Sequence, residues 1–243
     1  MRIIPRIDIK NDYAIKGINL EGNRRVGDPN DLGVKYYNDK ADEIIFMDSV
    51  ASLYGKNNLF ELIKKISKNI FIPITVGGGL RTISDMTKAL NSGADKVAFN
   101  SAAISNPKLI QEAVKTFGSS TVVVSIETKK NNQDNWEIFY KNGREPSKIL
   151  LEDWIKITQK FQCGELLITS IDHEGTKKGF DLELLDKIEG MQLKTPIIFS
   201  GGCGKMEHLT SVKNKLNNDA AAIASVLHYN VLSISKIKEN LNL

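Results

Sequence analysis

The chain has 243 residues, 41% hydrophobic and 26% charged, which is enough to bury a substantial core. Its 33 basic and 29 acidic residues leave a net charge of +4, and the basic residues are dispersed rather than interleaved with aromatics, which argues against a nucleic-acid partner. No apolar run approaches membrane-spanning length and the N-terminus enters a strand without a secretory leader, so the expectation is a cytoplasmic protein with no membrane contact.

The first predicted element is the strand "RIIPRIDI" (2–9). Strand side chains alternate faces, so Arg2, Ile4, Arg6 and Asp8 point one way, and charges on an enclosed face need partners. "KGINLEGNRRVGDPND" (16–31) is long for a connection, rich in glycine and charge. It reads equally as a lid in which Lys16, Arg24 and Arg25 close over an anionic ligand or as a floppy surface loop. "EIIFMD" (43–48) follows, with Asp48 at its end, then the amphipathic "NLFELIKKISKN" (58–69). "IPITVGG" (72–78), the helical "ISDMTKALNSG" (83–93) and "KVAFN" (96–100) complete the first half. "TVVVSIE" (121–127), "ELLITS" (165–170), "PIIFSGG" (196–202) and "AAIASV" (221–226) supply the remaining strands. Strand–helix alternation implies βαβ units and a parallel sheet, and eight units in this length predict an α/β protein of the (β/α)8 TIM-barrel class. A doubly wound sheet is the rival, usually with fewer strands. With no linker in the series, one domain over 1–243 is expected.

The halves echo each other, approximately 1–120 against 121–243. "DEIIFMDSVAS" matches "GELLITSIDHEG", "IPITVGGG" matches "TPIIFSGGCG", and "KVAFNSAAISNP" matches "AAIASVLHYN". Asp8 then falls opposite Glu127, each ending the first strand of its half, the end where such barrels carry active sites. A facing carboxylate pair suits proton shuttling or forms a structural ion pair. "VGGGLRT" (76–82) and "SGGCGK" (200–205) end strands and precede helices, and "FNSAA" and "IASVL" add Ser101 and Ser225. Glycine turns beside helix amides can cradle anions, or simply make tight turns. Two copies at symmetric positions predict a phosphate site in each half and a ligand anionic at both ends. Arg2, Glu43, Lys96 and Glu165 stand at strand starts, as surface charge or as a self-neutralising ring at the bottom. Cys163 and Cys203 are far apart and read as reduced thiols, and with His173, His208 and His228 scattered, no metal site or cofactor is expected.

Together "IIPRIDIK", "KGINLEG…GDP", "IPITVGGGLRT", "GADKVAFNSAAISNP", "FGSSTVVVSIE", "GELLITSIDHEGTKKGFD", "FSGGCGKMEH" and "ASVLHY" resemble the HisF family, the cyclase subunit of imidazole glycerol phosphate synthase, over essentially the whole chain. The resemblance implies a barrel of the ribulose-phosphate-binding type built from two half-barrel repeats. It implies a heterodimer with a glutaminase of the HisH type, whose ammonia passes through the barrel to a phosphorylated substrate. Asp8 and Glu127 take the catalytic positions. Phosphate and substrate contacts carry over onto Lys16, Asp48, Gly79, Asn100, Ser101, Thr169, Glu174, Gly175, Thr176, Gly202, Ala224 and Ser225. Arg2, Glu43, Lys96 and Glu165 match the charged ring at the ammonia entrance.

Three positions depart from that pattern. Glu127 and Glu174 stand where the family usually has Asp, and Arg6 stands where it usually has Cys. A buried guanidinium cannot shed its charge and must find a carboxylate, with Asp8, Asp48 and Glu127 as candidates. "PRIDIK", "LEGNRRVGDP", "ASLYGKNN" (51–58) and "SIE" also resemble a paralogous branch that delivers ammonia to a sugar-modifying amidotransferase in bacterial surface glycan synthesis.

Overall fold

The computed structural model describes residues 1–49, 59–216 and 219–243. Its strands are β1 (Arg2–Lys10), β2 (Tyr13–Ile18), β3 (Glu21–Gly27), β4 (Ile44–Asp48), β5 (Ile74–Gly77), β6 (Lys96–Phe99), β7 (Val122–Lys130), β8 (Trp136–Tyr140), β9 (Glu145–Leu150), β10 (Glu165–Ser170), β11 (Ile197–Ser200) and β12 (Ala220–Ile223). The helices are α1 (Pro29–Asn38), α2 (Leu59–Ile66), α3 (Ile83–Asn91), α4 (Ser101–Ser105), α5 (Lys108–Phe117), α6 (Leu151–Lys160), α7 (Leu182–Gly190), α8 (Met206–Lys213), α9 (Ser225–His228) and α10 (Ile234–Leu241). Eight parallel strands run β1–β4–β5–β6–β7–β10–β11–β12 around a closed wall, with β12 returning to β1. Each of the eight predicted apolar runs supplies one of them. The "ASLYGKNN" stretch lies outside the described residues.

Local chemistry starts the helices where the alternation demands them. Asp28 accepts from the Asn30 and Asp31 amides just before Pro29, and Thr82 and Asp85 form a reciprocal capping box ahead of α3. Asp181 and Ser233 cap α7 and α10 in the same way. The outward face of the strands packs with the helices into one large apolar layer containing Phe46, Val124, Trp154 and Phe199.

The inward face is layered. From the bottom, β1 contributes Arg2, Ile4, Arg6 and Asp8. Ile4 joins Ile45, Met47, Ala98, Val123, Leu167, Ile198, Ala220 and Ala222 in an apolar cluster filling the bore. Charges lie below that cluster and above it, so the opening strand faces three environments in succession.

The expected lid over 16–31 is a correction. This segment is not an open loop: β2 and β3 form a hairpin added to β1, followed directly by α1. β2 is paired on both sides and β3 is the free edge, and Asn19 and Leu20 take left-handed φ values of 51° and 64° at the tip. Lys16 is buried, not poised in solvent, while Arg24 and Arg25 stay exposed, Arg25 stacking 3.5 Å over the Tyr13 ring. A second, unforeseen hairpin, β8–β9, is added to β7 at the corresponding place. Its signal was the Asn142–Gly143 dipeptide between "WEIFY" and "EPSKIL".

Candidate active site

Asp8 and Glu127 stand on β1 and β7, four steps apart around an eight-strand wall, and so face each other across the mouth. Each sits where its hairpin begins to return: Asp8 pairs with Ile15, and Glu127 with Phe139. Both carboxylates are buried.

Their surroundings differ. Asp8 Oδ1 accepts from Arg6 Nε at 2.9 Å, and its Oδ2 lies 3.5 Å from Lys16 Nζ. Burial alone would raise the Asp8 pKa, but the Arg6 and Lys16 cations outweigh it and hold the group below the ordinary carboxylate range. Lys16 also pairs with Glu174, so the first hairpin is tied to the turn after β10. Glu127 Oε2 accepts from the Gly143 amide at 2.7 Å and from Asn100 Nδ2 at 3.0 Å. Here burial wins: the neutral donors and the more distant Arg6 do not overcome it, and the Glu127 pKa is raised. Asp8 is therefore the readier anion and Glu127 the readier proton carrier.

A cavity of about 360 Å³ opens beside Glu127, lined by Asp48, Gly79, Asn100, Ser101 and Lys141 among others. Its polar groups are partly committed. The Asn100 amide bonds Glu127 and the Phe139 carbonyl, and Ser101 Oγ accepts from the Lys141 amide at 2.9 Å. On the other side a cleft of only about 10 Å³ is lined by Lys16, Glu174, Gly175, Gly202, Ala224 and Ser225. Thr176 is not part of that lining, and its hydroxyl donates to the His173 carbonyl at 2.7 Å. Gly202, with φ +98°, is glycine for a reason other than a ligand: a Cβ there would meet the Gly179 carbonyl oxygen at 1.9 Å. Asn100 and Ala224, preceding α4 and α9, share a backbone conformation (φ −119°, ψ −77° and φ −135°, ψ −72°), and neither caps its helix with a side chain.

Thr169 is buried on β10 beside Glu127 and accepts from Arg6 Nη1 at 3.0 Å. Below the mouth, His228 is buried with Nδ1 2.6 Å from the Tyr36 hydroxyl, and burial lowers its pKa to about 4. Sequence reasoning gave neither residue this part, because nothing in a helical "SVLH" announces a partner 192 positions away.

At the opposite end Arg2, Glu43, Lys96 and Glu165 close a ring. Arg2 reaches Glu43 at 3.2 Å and Glu165 at 2.5 Å, and Lys96 reaches the same two at 2.8 and 2.7 Å. Burial would lower Lys96, but the two carboxylates more than offset it and raise its pKa. These are partners in a network, not independent surface charges. No cluster of three or more metal-ligating side chains occurs among the described residues, and Cys163 and Cys203 are unpaired and buried, with burial pushing both thiols up to about 12.

Comparison with known proteins adds a second line of observation. A family model described as Histidine biosynthesis protein matches residues 2–233. The chain is 52% identical over 207 residues to the imidazole glycerol phosphate synthase subunit HisF of Legionella pneumophila, covering 85% of this chain and 97% of that protein. It is 40% identical over 240 residues to the same subunit of Bacillus cereus (strain G9842), covering 99% and 95%. It is 43% identical over 241 residues to that of Lactococcus lactis subsp. cremoris (strain MG1363), covering 99% and 93%.

Proposed function

The chain belongs to the histidine biosynthesis protein family, among HisF subunits of imidazole glycerol phosphate synthase, and we propose that it acts as the cyclase subunit of that synthase. In this reading it uses ammonia from a glutaminase partner to cleave and cyclise a bis-phosphorylated aminoimidazole carboxamide ribonucleotide. The products are imidazole glycerol phosphate and an aminoimidazole carboxamide ribonucleotide. The observation that carries the reading is the mouth itself: two carboxylates on opposite walls, tuned in opposite directions, with a glycine-lined recess to either side.

A ligand with an anionic group at each end would lie across the mouth, one end toward Gly79, Asn100 and Ser101, the other toward Gly175, Thr176, Gly202, Ala224 and Ser225. Its reacting carbons then fall between Asp8 and Glu127, and this fixed approach is itself a large part of catalysis. Asp8, held as an anion, takes the proton shed as nitrogen bonds to the substrate carbon. Glu127, inclined by burial to keep its proton, gives it to the departing oxygen. Lys16, Asp48, Thr169 and Glu174 shape the rim around that exchange.

The lower ring fits an entrance for ammonia. Its charges neutralise one another, and the apolar layer above it suits a small neutral molecule better than an ion. The relatives' naming as subunits supports a heterodimer with a HisH-type glutaminase, checked by solution mass with and without that partner. The delivery-only alternative in glycan amidation draws on Arg6 and Glu127. The relatives cited above bear the synthase name, which favours the cyclase.

The direct test supplies the cyclase substrate with excess ammonium salt and follows its disappearance. Turnover that vanishes in Asp8→Asn supports the proposal. Well-folded protein without turnover overturns it.

A further inference from the structure

Arg6 touches no reacting atom in the chemistry proposed above, yet its side chain crosses the bore from one wall to another. The side chain is 2% exposed and cannot be deprotonated. It starts on β1 and reaches Thr169 on β10, three strands away around the wall, so it crosses the bore immediately above the apolar layer. On the way Nε is fastened to Asp8 Oδ1 at 2.9 Å, and Thr169, its far anchor, is the register partner of Glu127.

We propose that Arg6 is a positioning residue of the reaction: anchored on both walls by Asp8 and Thr169, it fixes the orientation and charge of the Asp8 carboxylate at the mouth. Other charged groups face Asp8 and Glu127. Lys16 on β2 faces Asp8 but is shared with Glu174, and the neutral His228 on α9 lies nearby. Glu127 accepts from neutral donors on the second hairpin and Asn100; the Arg6 cation also acts on it, lowering its pKa, and the Asp8 anion raises it, with burial outweighing the donors and Arg6. Among the described residues, Asp8 is the carboxylate that Arg6 bridges, and the bridge is short and buried. Lysine would keep the charge but lose the planar fork that binds Asp8 and Thr169 at once.

The catalytic half of this proposal rests on the cyclase reading, whereas its electrostatic half does not. Two readouts keep them apart: carbon-detected NMR titration of the Asp and Glu carboxyls in the unliganded protein, and pH profiles of ammonium-driven turnover, each for wild type, Arg6→Met and Arg6→Lys. In Arg6→Met the Asp8 titration should rise by about one pH unit or more, since a neighbouring cation shifts a carboxylate by that much. The acidic limb of kcat should move up with it and kcat fall about a hundredfold, with KM changed far less. Arg6→Lys should return the titration toward wild type while kcat stays about tenfold low, the cost of lost orientation. A fall in kcat with unmoved limbs and an unmoved Asp8 titration means Arg6 only fills space, and overturns the proposal. If Arg6→Met does not fold, Arg6→Lys decides: an Asp8 titration and kcat both at wild-type values would overturn it. If the Asp8 titration shifts but wild type turns over no cyclase substrate, the cyclase reading fails and the electrostatic role of Arg6 stands.

Discussion

The first four barrel strands and the last four carry the same parts in the same order, and the site works because a few of those parts differ. Each half adds a hairpin to its first strand and places a carboxylate where the hairpin begins. Two positions below the carboxylate, the first half has Arg6 and the second has Ser125. One position past the residue paired with the carboxylate, the first hairpin has Lys16 and the second has Tyr140. Asp8 therefore has Arg6 bonded to it and Lys16 beside it, while Glu127 accepts from neutral donors and feels Arg6 without bonding it. Equal burial with unequal charge sends two carboxylates in opposite directions. A symmetric scaffold holds two oppositely tuned carboxyls through side chains alone, with no change in backbone plan.

The largest expected effect tests that asymmetry directly. Asp8→Asn and Glu127→Gln should each lower ammonium-driven turnover by about 10²–10⁴-fold, the range of a lost general acid or base. Their stabilities should part. Asp8→Asn strips Arg6 and Lys16 of a buried anion and should cost about 3 kcal/mol or more in denaturant unfolding. Glu127→Gln should cost little and become favourable as pH rises. A carboxyl with a raised folded pKa contributes stability below its unfolded value, 4.5, and loses it as pH rises through the folded value. Equal destabilisation of the two variants at neutral pH would break the comparison.

Next comes Lys16→Met, which removes the cation the first hairpin delivers. Asp8 and Glu174 lose a shared partner, so the acidic limb of the turnover profile should move up and turnover should fall about tenfold or more. An unchanged profile would mean that Arg6 alone sets the Asp8 charge.

Much of this was legible in the sequence, and the limits are physical. All eight barrel strands were visible because doubly buried parallel strands read as continuous apolar runs. The facing of Asp8 and Glu127 followed from the internal repeat, whereas the charged ring followed only from the family resemblance, since charges at strand starts read equally as ordinary surface charge. The hairpins were missed for opposite reasons. In 16–31 the pairing residues are charged and exposed, so "EGNRRVG" carries no alternation to recognise. In 136–150 the Asn142–Gly143 turn signal is present, but it interrupts a strand–helix alternation in which the connection after a barrel strand is expected to be a helix. Which carboxylate Arg6 would choose could not be read from spacing, since Asp8, Asp48 and Glu127 all end strands at the mouth. Three-dimensional placement was needed, and it also showed that the Gly179 backbone leaves no room for a Cβ at Gly202.

His228 offers a smaller, pH-resolved difference. Its counterpart in the first half, counting from Ser225 and Ser101, is Ile104. Burial depresses the imidazole pKa from 6.5 to about 4, so its contribution to stability is complete above 6.5 and drains away as pH falls toward 4. That gap is worth on the order of 3 kcal/mol. The stability difference between wild type and His228→Gln, measured by urea unfolding, should therefore shrink by about that amount between pH 7 and pH 4. A constant difference across that range would show the imidazole to be accessible to protons in the folded state.

The smallest effect isolates the second hairpin. Gly143 has φ +73° and aims its amide at Glu127. Alanine there adopts a left-handed backbone at a cost of about 1 kcal/mol, and its Cβ would meet the flexible tip of Leu20 at 2.7 Å. In a chain of this size such a loss lowers Tm by about 2–4 °C. Gly118, with φ +85°, ψ 154° and open space where a Cβ would go, supplies the control, because Gly118→Ala strains the backbone away from Glu127 in a region that is essentially glycine-only. Both variants should lower Tm, Gly118→Ala at least as much as Gly143→Ala. Only Gly143→Ala should also lower turnover, by a few-fold and with a shifted alkaline limb, since it alone disturbs a donor on Glu127. Matching turnover in the two would mean that the hairpin closes the site without tuning it, and the contrast between the halves would then rest on Arg6 and Lys16 alone.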